Sequence, residues 1–133
     1  MDFSALKHWR GRVRSILRIM AALLFMQHGT QKLLDFPLPG PDPLPPLLLA
    51  AGSIELFGGF LLAIGLFSRP VAFLLSGMAA AAYFIGHASS GFFPIINKGE
   101  LAALYSFVFL YLFFAGPGPW SVDAVRRKGL FED

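Results

Sequence analysis

Glu55 and His28 are ionisable residues inside stretches otherwise built from leucine, phenylalanine and alanine. An ionisable side chain in such a stretch is costly unless it is paired, neutralised or hydrated, so each needs a reason to be there. Other polar groups accompany them. His28 and Lys32 are spaced i, i+4, as are Gln27 and Gln31, which puts each pair on one face of a helix. His87 ends one apolar block, and Asn97, Lys98 and Glu100 precede another that continues to Tyr105. Imidazole titrates near neutrality and a carboxyl held out of water can carry a proton, so Glu55 and His28 could relay protons. Gln31, His87, Lys32, Asn97 and Glu100 could hydrogen-bond a ligand. Plainer roles exist for each. Lys32 and Lys98 could reach out to an interface, Glu100 could cap a helix start, and Glu55 could form a structural pair with His28. The histidines and glutamates are also metal-ligand types, but they form no tight ligand motif, so no metal is expected and haem is disfavoured.

The positioning elements follow from composition. Hydrophobic residues make up 56% of the 133 residues and charged residues 14%, against roughly 25% charged in a soluble domain. The chain has 15 phenylalanines, more apolar surface than one small water-soluble core hides. The apolar residues run in four blocks, about 15–34, 47–67, 71–88 and 101–120, without the alternation that keeps one face wet. Each is close to the ~20 residues that cross a hydrocarbon layer. The expectation is a single all-α membrane domain over 1–133, an antiparallel bundle of four transmembrane helices.

Lysine and arginine set the orientation. With the N-terminus inside, Lys7, Arg10, Arg12, Arg14, Arg18, Arg69, Arg126, Arg127 and Lys128 are all cytoplasmic, and only Lys32 and Lys98 fall outside. Both termini are therefore expected in the cytoplasm. The net charge of +3 reports topology rather than nucleic-acid binding. In this arrangement the polar residues of all four helices lie in the outer half of the membrane. Glu55 lies about 13 Å in, by helical rise. Together they imply a polar pocket that opens outward.

The first block is expected to remain as a helix, not a cleaved signal, because no small-x-small site leads into a soluble domain. Pro37 to Pro46 predicts an extended, polyproline-like strap, and Ser68-Arg69-Pro70 a tight hairpin. Gly52, Gly58, Gly59 and Gly65 in the second block, with Gly77, Gly86 and the run Ala79-Ala80-Ala81-Ala82 in the third, predict close packing of those two helices. There is no cysteine, so neither a disulfide nor a cysteine-held iron–sulfur cluster forms within the chain, and any electron source lies elsewhere.

Several segments carry a family resemblance. They are Gln27-His28-Gly29-Thr30-Gln31-Lys32-Leu33, Glu55-Leu56-Phe57-Gly58-Gly59, Gly65-Leu66-Phe67-Ser68-Arg69-Pro70, Phe93-Pro94 with Asn97-Lys98-Gly99-Glu100, and Gly116-Pro117-Gly118-Pro119-Trp120-Ser121-Val122-Asp123. In order and over nearly the whole chain, they resemble the DoxX family of small bacterial and archaeal four-helix membrane proteins. Asp35 and the proline strap depart from the family pattern. The resemblance implies the bacterial plasma membrane and a subunit of a quinone-linked oxidoreductase, related to thiosulfate oxidation or redox stress. Glu55 and His28 would then be the relay, and Gln31 and His87 hydrogen-bond partners of quinone oxygens. Membrane lipid, quinone, a partner oxidoreductase subunit and further copies of the chain are the implied partners. A non-catalytic membrane scaffold or lipid-binding protein fits the same residues and is the alternative. Quinone, or lipid alone, co-purifying with the protein would separate the two.

Overall fold

The computed structural model describes residues 2–129, and these are all helix and connecting turn, with no strand among them. After a short turn of helix, α1 (Ser4–Lys7), come α2 (Arg10–Leu34), α3 (Pro46–Ile64) and α4 (Ser68–Gly86). A 3₁₀ turn (Ala88–Ser90) and the short α5 (Pro94–Asn97) lead into α6 (Glu100–Ala115) and then α7 (Val122–Gly129). Among the described residues, α3 and the stretch from Ser68 to Ser90 are long and apolar enough to cross a membrane. The apolar α6 is shorter, and arginines occupy the first turns of α2.

Helix ends follow backbone chemistry more closely than hydropathy, and this moves several expected boundaries. Proline starts α3, where the first turn needs no N–H donor. The same helix stops at Ile64, short of the expected Phe67, because Gly65 turns left-handed at φ +73°. A Cβ at Gly65 would run into Ser121. In α4, the start comes three residues before the expected Val71, since the Asp123 carboxylate accepts the N–H groups of Phe67 and Ser68 at 3.0 and 2.8 Å. At the other end, α6 stops at Ala115 instead of Trp120, because Pro117 and Pro119 in the following Gly-Pro-Gly-Pro run lack helix donors.

The long helices pack as two antiparallel pairs, α2 on α3 and α4 on α6, with narrower contact between α3 and α4. Glycine brings the first pair together. A Cβ on Gly29 would lie 2.6 Å from the Leu56 nitrogen and 2.7 Å from the Gly52 oxygen, so only glycine lets these backbones meet. Serine joins the second pair: Ser76 Oγ donates to the Ser106 carbonyl at 2.8 Å, and Ser106 Oγ returns the bond to Ser76 at 3.1 Å. Phe25, Tyr105 and Phe109 pack ring against ring where α2 faces α6, in a core shared with Leu62, Leu75 and Leu112.

Two expectations need correction here. Gly52 and Gly59 face α2 rather than α4, and a Cβ on Gly77 or Gly86 would meet nothing within 4 Å. The small residues of α4 therefore leave space beside α3 and do not close it. Nor is the proline strap one extended rod. Asp35 Oδ1 accepts the Gly40 N–H at 2.9 Å, and Gly40 lies against the Gln31 backbone, folding the strap back over the end of α2.

Candidate functional site

Glu55 stands nine residues from either end of α3, at about 13 Å by helical rise, and is 5% exposed. Its partner comes from the last turn of α2. Helical side chains lean toward the N-terminus of their own helix, so Lys32 points down along α2 toward Glu55. Its Nζ donates to Oε2 at 2.8 Å and Oε1 at 3.1 Å, and to the His28 carbonyl at 3.4 Å. Gly52 makes room for this descent, since a Cβ there would sit 3.0 Å from the Lys32 Cβ. Sequence reading considered a Glu55–His28 pair and an outward-reaching Lys32. The side-chain pair is instead Glu55–Lys32, and the His28 backbone takes part in place of its ring.

The His28 ring, half-buried, turns toward α6 and lies edge-on to Tyr105, with 6.3 Å between centroids. Gln31 Nε2 donates to the Pro39 carbonyl at 3.4 Å and so tethers the strap. Glu100 is exposed in the first turn of α6, where a carboxylate suits the helix dipole. Asn97 is 4% exposed and organises its loop. Its amide donates to the Tyr83 hydroxyl and the Gly91 carbonyl, both at 3.0 Å, while its Oδ1 accepts the Gly99 N–H at 2.8 Å. His87 Nδ1 lies 3.1 Å from the Asn97 carbonyl. A carbonyl can only accept, so Nδ1 carries a proton and Nε2 is the ring nitrogen left free of that contact.

A cleft of about 610 Å³ lies between the first half of α3 and the stretch of α4 from Phe73 to its end. Lys32, Glu55 and His87 line it among residues that are otherwise apolar, including Leu47, Ile54, Met78 and Ile85, with Gly77 and Gly86 giving it width. The packing of Gly58 on Leu75 sets the register of the two helices. Counted from that contact, Glu55 faces Met78, and His87 stands level with the start of α3. The two are thus about nine residues, or ~13 Å of helical rise, apart. The cleft has two polar stations, an ion pair at depth and an imidazole near its outer end. His28, Gln31, Asn97 and Glu100 do not line it.

The opposite end of the molecule holds a second polar cluster that hydropathy alone conceals. Arg18, read from sequence as a topology marker, is fully buried. It donates to the Leu62 carbonyl at 2.9 Å and the Trp120 carbonyl at 2.6 Å, and also to Pro117. Ser15 Oγ accepts the Trp120 N–H at 3.1 Å, and the Asp123 N–H donates to the Gly65 carbonyl at 2.9 Å. The end of α3 and the segment after α6 are thereby clasped to α2. The signal in the sequence was an arginine three residues inside an apolar block, where a surface charge has no reason to lie.

Helices too apolar for their small buried core, with a paired charge at mid-helix, define a membrane-associated helical protein. The DoxX family model matches residues 13–88, and the chain belongs to the DoxX family. An uncharacterized protein of Haemophilus influenzae is 47% identical over 125 residues, covering 89% of this chain and 93% of that protein. No solved structure matches the chain.

Proposed function

We propose that this chain crosses the bacterial plasma membrane four times with both termini in the cytoplasm. We propose further that it is the membrane subunit of a quinone-linked oxidoreductase, its Lys32–Glu55 pair receiving the quinone head at the α3–α4 cleft. The observation that carries this reading is the buried ion pair opening on an apolar cleft. Replacing such a pair by well-packed apolar residues is often neutral or stabilising, so stability alone gives little reason to keep one in a membrane helix. Large exposed side chains such as Phe57, Phe84 and Phe107 support the membrane setting, since they would form an untenable surface in water.

The chemistry follows from the two stations. Two-electron reduction of a quinone takes up two protons, and its oxidation returns them. Lys32 would donate a hydrogen bond to a quinone oxygen; Glu55 would hold the ammonium as a carboxylate and take up a proton released on quinol oxidation, or return one on reduction, as that contact opens. His87, at the far end of the cleft from the pair, would exchange protons with water there, whereas the sequence suggests His28 as the relay partner of Glu55 and His87 as a hydrogen-bond partner of the quinone. The tail would follow Ile54, Met78 and Ile85 toward lipid. The chain has no cysteine, so electrons would come from a partner subunit.

A lipid-binding scaffold is the second reading, and the almost wholly apolar lining favours it. Mass spectrometry of small molecules extracted from the purified protein separates the two. Quinone enriched well above its share of the membrane is the expected result; phospholipid alone supports the scaffold.

A further inference from the structure

Beneath the α3–α4 hairpin lies a second cavity, of about 310 Å³, with walls unlike those of the first. Arg69, Arg126 and Arg127 converge on it beside Phe67, Pro117 and Asp123. Three arginines thus line the cavity with one carboxylate, and that carboxylate is already engaged. Its two oxygens accept the Phe67 and Ser68 N–H groups, as described above. Among the described residues none of the three arginines is in an ion pair. Two of them are held in place: Arg69 Nη1 donates to the Phe113 and Phe114 carbonyls at 2.9 and 2.6 Å, and the Arg126 guanidinium lies 5.5 Å from the centroid of the Phe67 ring.

We infer that this cavity is a binding site for a phosphate group, and specifically for the phosphodiester of an anionic phospholipid. Planar guanidinium groups match phosphate oxygens in two-point contacts, and basic pockets at the cytoplasmic ends of membrane helices suit lipid headgroups. The cavity sits where α4 begins, the level at which headgroups lie if the membrane placement proposed above holds. Phe67 lines it with a ring 55% exposed, and Phe114, whose carbonyl Arg69 holds, is 71% exposed, so acyl chains could run along both rings. A soluble phosphate would gain nothing from those rings.

The test is native mass spectrometry of the full chain in detergent, titrated with phosphatidylglycerol, with phosphatidylcholine, and separately with inorganic phosphate. Wild type should retain phosphatidylglycerol over phosphatidylcholine. The double variant Arg126→Gln/Arg127→Gln should lose roughly tenfold or more of that preference, as two cations near a headgroup would supply. Arg127→Gln alone should lose part of it. Melting temperature in phosphatidylcholine should fall only slightly, since both positions are exposed on α7 and the Asp123 cap keeps its Phe67 and Ser68 N–H donors. Lys7→Gln/Arg10→Gln removes the same charge away from the cavity and should keep the preference. A preference that survives Arg126→Gln/Arg127→Gln, or that Lys7→Gln/Arg10→Gln abolishes equally, would overturn the site. Inorganic phosphate binding as tightly as phosphatidylglycerol would overturn its assignment to lipid. No arm involves quinone, so failure here and failure of the quinone reading are separate results.

Discussion

At Glu55 the cost of burying a carboxylate in a membrane helix is offset by one neighbour, the ammonium of Lys32 at 2.8 Å. Removing either charge alone strands the other. Glu55→Gln or Lys32→Met should therefore each destabilise the protein by roughly 3–5 kcal/mol, measured as unfolding in one detergent. Single variants as stable as wild type would mean that the surviving charge finds water, and that the site is wetter than its burial implies. Glu55 stood out in the sequence because nothing else charged lies in its apolar block. Its partner did not, because depth along a helix axis says nothing of the direction in which a side chain leans. His28 and Lys32 share a face of α2, yet the ring of one turns to Tyr105 while the ammonium of the other descends to Glu55. Asn97, expected at the ligand, instead acts through its carbonyl, which accepts a hydrogen bond from His87 Nδ1.

The long helices were legible because apolar blocks near 20 residues admit few other structures. Their ends and pairings were less so, since both depend on contacts between distant segments. Asp123 caps the start of α4 from 55 residues away, and no local pattern announces that. Burial raises its pKa, but the backbone N–H groups of Ser68 and Phe67, with Arg126 nearby, outweigh this and hold it below the ordinary 3.8. A lowered folded pKa means the cap contributes its full stability above about pH 4 and loses it as pH falls through the folded value. Wild type should therefore lose stability below pH 4 more steeply than Asp123→Asn, in thermal melts across that range; parallel curves would remove Asp123 from the clasp. The same reasoning covers pairing. Glycines in α3 and α4 suggested that these two helices close on each other, but which face each glycine occupies decides the outcome. Gly29 is the most confining of the glycines inside the helices, with backbone rather than flexible side chain on its far side. Gly29→Ala should cost about 1–3 kcal/mol in the same unfolding measurement, whereas Gly77→Ala, facing open space, should cost almost nothing. Equal effects would contradict the α2–α3 contact.

Taken whole, the molecule separates its polar chemistry between two ends, with apolar helix between them. The Lys32–Glu55 pair and His87 serve the cleft at one end. Arg18, Arg69 and Asp123 clasp the helices at the other, where most of the lysines and arginines gather. If that basic end is cytoplasmic, a reporter active only outside the cytoplasm should be inactive when fused after Asp133 and active when inserted near Gly40. The reverse pattern would invert the orientation and the direction in which the cleft opens. The segments divide in the same way: those around His28 and Glu55 build the cleft end, and those around Arg69 and Asp123 meet in the clasp. If the buried pair exists for a ligand rather than for the fold, the double variant Lys32→Met/Glu55→Leu separates the two roles. With both charges gone, the helices should pack as stably as in wild type or better. Titration of a short-tailed quinone into wild type and double variant, followed by quenching of the intrinsic tryptophan and tyrosine fluorescence, then reads the function alone. The double variant should fold fully while its quinone affinity falls at least about tenfold, the loss expected when a charge-assisted hydrogen bond is removed. An unchanged affinity in a folded double variant would contradict it.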